Sequence, residues 1–339
     1  MDIKNFLPEL CLKSGSEAFE TAKSALSDFA EVKDSPLSNI YGVMKGSSDY
    51  SILLDAHIDE VHFIVTSVDK DGFLLVDKFG GPDIRPLSGA EVTVLSASAL
   101  YGIVCKYDIT DKKAPAVDKL KIDIGFDEKE AKKRVKPGDR VVFNQIPKML
   151  LNSCITAKSL DDRAGVASLL LVAQKLKAAG KLPVTVQFLF SQFEEIGGMG
   201  AQTGSFALCP DEALAVDVGF GDNVGVDADK CQKLGKGPQI GFSPILSSKI
   251  TKKLCDIARN KGIDYMSDVC GGRTYTNADN IFSTLSGVPC GLVSIPLRSM
   301  HTPVETVSFS DIESTADLIF DYVYSGGIRT VENRLSRVL

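Results

Sequence analysis

No apolar stretch in this chain approaches the ~20 residues that cross a bilayer, and Met1-Asp2-Ile3-Lys4-Asn5 lacks the basic-then-apolar layout of a signal peptide. A membrane partner is therefore not expected. There is no excess of basic residues: the net charge is −6, which argues against a nucleic-acid partner held through clustered Lys and Arg. The eight cysteines (Cys11, Cys105, Cys154, Cys209, Cys231, Cys255, Cys270 and Cys290) contain no Cys-x-x-Cys pair. This excludes a Cys-type zinc site and points to reduced, mostly buried thiols in a cytoplasmic protein. Histidine is scarce. Any imidazole chemistry must use His57, His62 or His301.

What is present is ordinary for a packed protein, with 44% apolar and 24% charged residues. The 339 residues suit two domains of roughly 100–200 residues. Helical spacing of Ala18, Phe19, Ala22, Ala25, Leu26 and Phe29 predicts a helix over 16–31. Further helices are expected over 161–178, 248–260 and 311–324. Strands are expected at Ile52-Leu53-Leu54, over 184–190, at Ala213-Leu214-Ala215-Val216 and over 291–295. Between about 67 and 155 the texture changes to short β-rich runs separated by turn signals such as Asp71-Gly72 and Lys136-Pro137-Gly138-Asp139. The expected architecture is an α/β domain with a mixed sheet flanked by helices, formed by residues 1–66 and 156–339. A small β-barrel domain is inserted at 67–155.

Polar residues gather just past the ends of the apolar strands: His57 and Asp59 after the first, Glu194 and Glu195 after the second, Asp217 after the third and His301 after the fourth. In open α/β sheets the carboxyl ends of strands form the binding crevice. Asp161, at a helix start, can point to the same edge. Two histidines and three carboxylates suit a pair of divalent cations, with one carboxylate bridging. His57-Ile58-Asp59 places two side chains on one side of an extended segment, so Asp59 can orient His57. Of Glu194 and Glu195, one can bind metal while the other serves as general base. Spacing alone does not choose between them. His62 is expected to pack on or beside a strand.

The motifs His57-Ile58-Asp59-Glu60, Ser159-Leu160-Asp161-Asp162-Arg163, Glu194-Glu195-Ile196-Gly197, Ala215-Val216-Asp217-Val218, Lys233-Leu234-Gly235-Lys236-Gly237-Pro238 and Met300-His301-Thr302-Pro303 occur in this order. Together they resemble peptidase family 42, the tetrahedral or deblocking aminopeptidases, some of which carry an old cellulase label. The resemblance runs from about residue 40 to the end. It implies a zinc-peptidase-like fold and removal of N-terminal residues from short peptides by two divalent ions, zinc or cobalt. It further implies that His57, Asp161 and Asp217 hold one ion, that Asp161, Glu195 and His301 hold the other, that Glu194 is the base and that Asp59 partners His57. The β insertion resembles the one this family uses for self-association, typically into a tetrahedral dodecamer.

The chain departs from the family at Asn277, where Asp is usual, and at His62, where Gly is common. Asn277 lies in a loop expected near the substrate, and Arg273 is a second candidate contact there. Loss of a negative charge at Asn277 favours neutral or acidic first residues over Lys and Arg. An amide hydrolase acting on another small substrate is the alternative activity. A non-catalytic metal holder leaves Glu194 without a role, and a glycosidase leaves the paired histidines unexplained.

Overall fold

In the computed structural model, residues 1–106, 116–223, 225–228 and 230–329 are described. Part of the inserted segment, 107–115, lies outside them. The chain opens with helices α1 (Ile3–Leu12) and α2 (Ser16–Ser27), followed by strands β1 (Glu31–Asp34), β2 (Ile40–Met44) and β3 (Ser51–His57). Next come β4 (His62–Val68), β5 (Leu74–Phe79), β6 (Glu91–Leu95), β7 (Leu100–Val104), β8 (Lys121–Asp123), the short α3 (Glu128–Arg134) and β9 (Arg140–Phe143). After β10 (Lys148–Met149) and β11 (Cys154–Ala157), the α/β pattern resumes. It runs α4 (Leu160–Ala179), β12 (Thr185–Ser191), α5 (Met199–Leu208), β13 (Glu212–Phe220), β14 (Gln239–Phe242), α6 (Ser248–Lys261) and β15 (Met266–Val269). It ends with α7 (Ala278–Ile281), β16 (Cys290–Leu297), β17 (Glu305–Ser308) and α8 (Phe309–Tyr324).

The main sheet is mixed and eight-stranded, in the order β1-β2-β12-β3-β13-β16-β14-β15. Its centre, β12-β3-β13-β16, is parallel. Both faces of these strands are covered, so they are buried almost throughout and mostly apolar rather than alternating. On one face, α1, α2, α4, α6 and α8 close the largest core around Phe188, Phe190, Leu214 and Ile295. A smaller core under α5 and α7 covers the other. Strands β4-β5-β8-β7-β6-β9 form a closed barrel with its own core of Phe63, Val76, Val92, Val141 and Phe143. Closure leaves no free strand edge.

The barrel strands begin at His62 and end at Phe143. They start earlier than the expected 67 because the chain passes from β3 into β4 across only four residues, Ile58–Val61. They end earlier than 155 because β10 and β11 join β17 in a separate three-stranded sheet. The helix expected over 16–31 stops at Ser27, and Glu31 already pairs in β1. Helix α1 was not expected. Its apolar residues Ile3, Leu7, Leu10 and Cys11 pack beside α4. Three cysteines are buried, Cys11, Cys255 and Cys290; the other five are half-buried, so the expectation of mostly buried thiols is corrected, and all eight are free thiols. Among the described residues, no helix is long and apolar enough to cross a membrane.

Candidate active site

The parallel centre of the sheet brings four strand ends side by side. His57 is the last residue of β3 and pairs with Ser191, the last of β12. Glu194 and Glu195 follow β12 in a turn where Phe193 takes a positive φ of 65°. Asp217 lies within β13, three residues before its end, rather than beyond it as expected. Beyond β16, His301 adopts a φ of 63°, a left-handed conformation uncommon for a residue with a Cβ. Asp161 sits in the first turn of α4, but its φ and ψ are −80° and 105° and the peptide to Asp162 is cis. It therefore enters the site on non-helical backbone instead of capping the helix.

Asp161 is the centre of the arrangement. Its Oδ1 lies 3.0 Å from His57 Nε2, and its Oδ2 lies 3.2 Å from His301 Nε2. Asp217 Oδ1 is 3.9 Å from His57 Nε2, and Glu195 Oε2 is 3.6 Å from His301 Nε2. One atom from each of His57, Asp161 and Glu195 lies within 4.8 Å of the others. Asp161 thus contacts both histidines of the site.

Electrostatics set this region apart. Burial pushes the carboxyls of Asp217 and Glu195 well up, and the Asp161 charge adds to both. Burial likewise lifts Glu194 to about 7, partly offset by His57. Asp161 goes the other way, since its contacts with His301 and His57 overcome burial and hold it low. Burial disfavours charge on His301, but Asp161, Glu195 and Glu305 outweigh it and raise the ring to about 10. Burial and mutual repulsion thus disfavour the charged form of several carboxyls in this one region.

Surrounding groups hold the set in place, and several were not expected from sequence. Asp59 Oδ1 lies 3.5 Å from His57 Nδ1, an ion-pair contact without hydrogen-bond geometry. Asp59 also accepts the backbone N–H groups of Glu194 and Glu195 at 3.2 and 3.3 Å, and so fixes the turn that carries both. Buried Glu305 accepts from the Asp161 and His301 backbone N–H groups, at 3.1 and 2.7 Å. Asp162 is fully buried, and it forms with His57 and Asp217 a second group whose donor atoms lie within 4.8 Å. Gly81, just past β5, accepts from His301 Nδ1 at 2.9 Å. A Cβ on Gly80 would meet the Glu195 carboxylate at 3.0 Å. The segment just past β5 of the barrel thus reaches both a histidine and a glutamate of the site.

Two expected substrate contacts differ from each other. Asn277 is buried and points away from the cleft: its amide donates to Asp55 Oδ2 at 2.8 Å and Ser191 Oγ at 2.9 Å. The inference that its missing charge borders the substrate is corrected by this geometry. Arg273 does line the cleft beside the site, where its Nε donates to Asp279 at 3.1 Å. His62 packs as expected, stacked on Phe79 at 4.3 Å with Nδ1 donating to the Glu60 carbonyl.

The sequence pattern of the M42 glutamyl aminopeptidase family matches residues 38–318. The chain belongs to this family. A candidate aminopeptidase of Acetivibrio thermocellus is 32% identical over 86% of this chain and 88% of its own length. A TET aminopeptidase from a marine sediment archaeon of the Thaumarchaeota is similar in structure with a TM-score of 0.90, at 27% identity over 96% of both chains. The TET1 peptidase of Pyrococcus horikoshii is similar with a TM-score of 0.84 and 29% identity, over 95% of this chain and 99% of that one. That peptidase can assemble into a tetrahedron or a large octahedral shell. As a member of the M42 family, the chain is a peptide-bond hydrolase.

Proposed function

We propose that the chain is a dinuclear metallo-aminopeptidase that releases the first residue of short peptides. The observation that carries this reading is the Asp161 carboxylate, whose two oxygens face His57 and His301 from different strands. His57, Asp161 and Asp217 would hold one divalent ion, and Asp161, Glu195 and His301 the other. The donor set fits: imidazole and carboxylate suit zinc or cobalt, and the buried, mutually repelling carboxyls call for added positive charge. Such ions polarise a carbonyl and acidify water.

The chain's own residues account for the proton transfers. Glu194, at the cleft and outside both ligand sets, takes a proton from the attacking water and delivers it to the leaving amine nitrogen. Asp59 positions Glu194 through its backbone N–H and faces the outer nitrogen of His57. Glu305 fixes the backbones of Asp161 and His301 from behind.

The segment 67–155 serves self-association in this reading, as a symmetric, tetrahedral dodecamer. Support comes from the exposed apolar side chains Ile146, Met149, Leu150 and Leu151, the last 88% exposed. Free thiols throughout suit a cytoplasmic protein. The test is a panel of aminoacyl-anilides on protein of measured metal content. Turnover that requires bound divalent metal supports the reading. Full turnover in metal-free protein, or none with any anilide or short peptide, refutes it.

A further inference from the structure

The cleft that holds the site has a volume of about 590 Å³. Val218, Phe220, Leu292 and Met300 give it an apolar wall. Besides the ligand sets and Glu194, four charged side chains line it: Lys230, Asp268, Arg273 and Asp279. Three of them are engaged. Lys230 pairs with Asp227 at 3.1 Å. Asp279 is saturated, accepting from the Thr274 N–H and hydroxyl, the Tyr275 N–H and Arg273 Nε at 2.7–3.1 Å. Arg273 has that carboxylate, lies 5.9 Å from the Tyr275 ring centre and is 69% exposed.

Asp268 differs. It stands on β15 and lines the cleft, half-buried, with no hydrogen-bond or ion-pair partner for its carboxylate among the described residues. Burial raises its carboxyl. Its charge reaches the thiol of Cys270, which burial and Asp268 both push up. A partly desolvated carboxylate in a cleft with an apolar wall gains most from a substrate that brings its own cation on an aliphatic stem.

We propose that Asp268 receives the side chain of a basic first residue, so that the enzyme prefers N-terminal Lys or Arg. This rests on the aminopeptidase reading above. The rival is Arg273 selecting an acidic first residue. The structure disfavours it, because such a side chain would compete with Asp279 for a solvent-screened guanidinium and would meet the Asp268 charge. An uncharged side chain of the same length lies against the apolar wall but leaves Asp268 unpaired.

The test compares kcat/KM for lysyl, methionyl and glutamyl anilides on the metal-loaded wild type, Asp268→Asn and Arg273→Gln. In parallel, L-lysinol and L-norleucinol, which present the same amine but no scissile bond, are titrated by calorimetry. The wild type is expected to prefer lysyl over methionyl anilide, and Asp268→Asn to lower that ratio on the order of ten- to hundredfold. Lysinol should bind more tightly than norleucinol to the wild type but not to Asp268→Asn. A glutamyl preference abolished by Arg273→Gln overturns the proposal, as does a lysyl preference that survives Asp268→Asn. If no anilide is cleaved, the aminopeptidase reading fails. The two alcohols still decide the Asp268 assignment: equal binding to the wild type overturns it.

Discussion

Buried acid occurs at both ends of the same sheet, and the two ends are built on opposite rules. At the amino end, Glu212 opens β13 fully buried, yet its oxygens accept from the Tyr50 and Tyr322 hydroxyls at 2.9 and 3.0 Å and from the Ile328 N–H. Every donor there belongs to the chain. At the carboxyl end, five residues along β13, Asp217 accepts only the next N–H. It faces His57 and further carboxylates from Asp161, Asp162 and Glu194. Among the described residues, Glu195 Oε1 has no hydrogen-bond partner. Burial alone therefore does not mark a site. A carboxylate satisfied from within locks the fold, whereas a cluster of carboxylates that the chain leaves short of donors is built for something the chain does not supply.

That contrast can be broken by substitutions at each end. The largest effect is expected at Glu194, where exchange for Gln keeps size and removes the base. Turnover should fall on the order of 10²–10⁴-fold while metal content is retained. Near-normal kcat would move the base elsewhere, with Glu195 the first suspect. Next comes Glu305→Gln. Both carboxylate oxygens accept backbone N–H groups, and an amide offers only one acceptor, so metal affinity should weaken by roughly 10–100-fold. Competition with a chelator of known affinity reads this, and unchanged affinity would make Glu305 a bystander.

At the opposite end, Glu212→Gln should cost about 1–3 kcal/mol of stability by stranding hydroxyl donors, with metal content unchanged. Denaturant unfolding and elemental analysis separate the two, and lost metal would show that the ends are not independent. The smallest effect is expected from Asn277→Asp. Because this side chain contacts Asp55 and Ser191 behind the cleft, the ratio of lysyl to glutamyl turnover should stay as in the wild type. A shift toward Lys would restore the charge argument made from the sequence.

The sequence made the sheet centre legible, since strands buried on both faces announce themselves as unbroken apolar runs. It also made legible the gathering of His57, Asp161, Glu195, Asp217 and His301 at one sheet edge, because polar residues directly after such runs have few other reasons to be there. What stayed hidden was set by contacts distant along the chain. Glu305 and Gly81 act through backbone N–H and C=O groups of residues that local sequence does not specify. Asp162 was passed over beside Asp161, although the non-helical backbone at this pair aims both carboxylates inward. Asn277 reads from the sequence as a missing charge at the pocket because a loop's position can be guessed while its side-chain direction cannot. Asp268 carries no motif, and only the cleft around it gives it meaning.

The central claim is that Asp161 joins two metal sites, and the most direct measurement is a metal titration of metal-free protein by calorimetry with elemental analysis of the product. The wild type should take up two divalent ions per chain. Asp217→Asn and His301→Ala should each lose one, and Asp161→Asn should compromise both. A single ion in the wild type, or two ions retained by Asp161→Asn, would contradict the account.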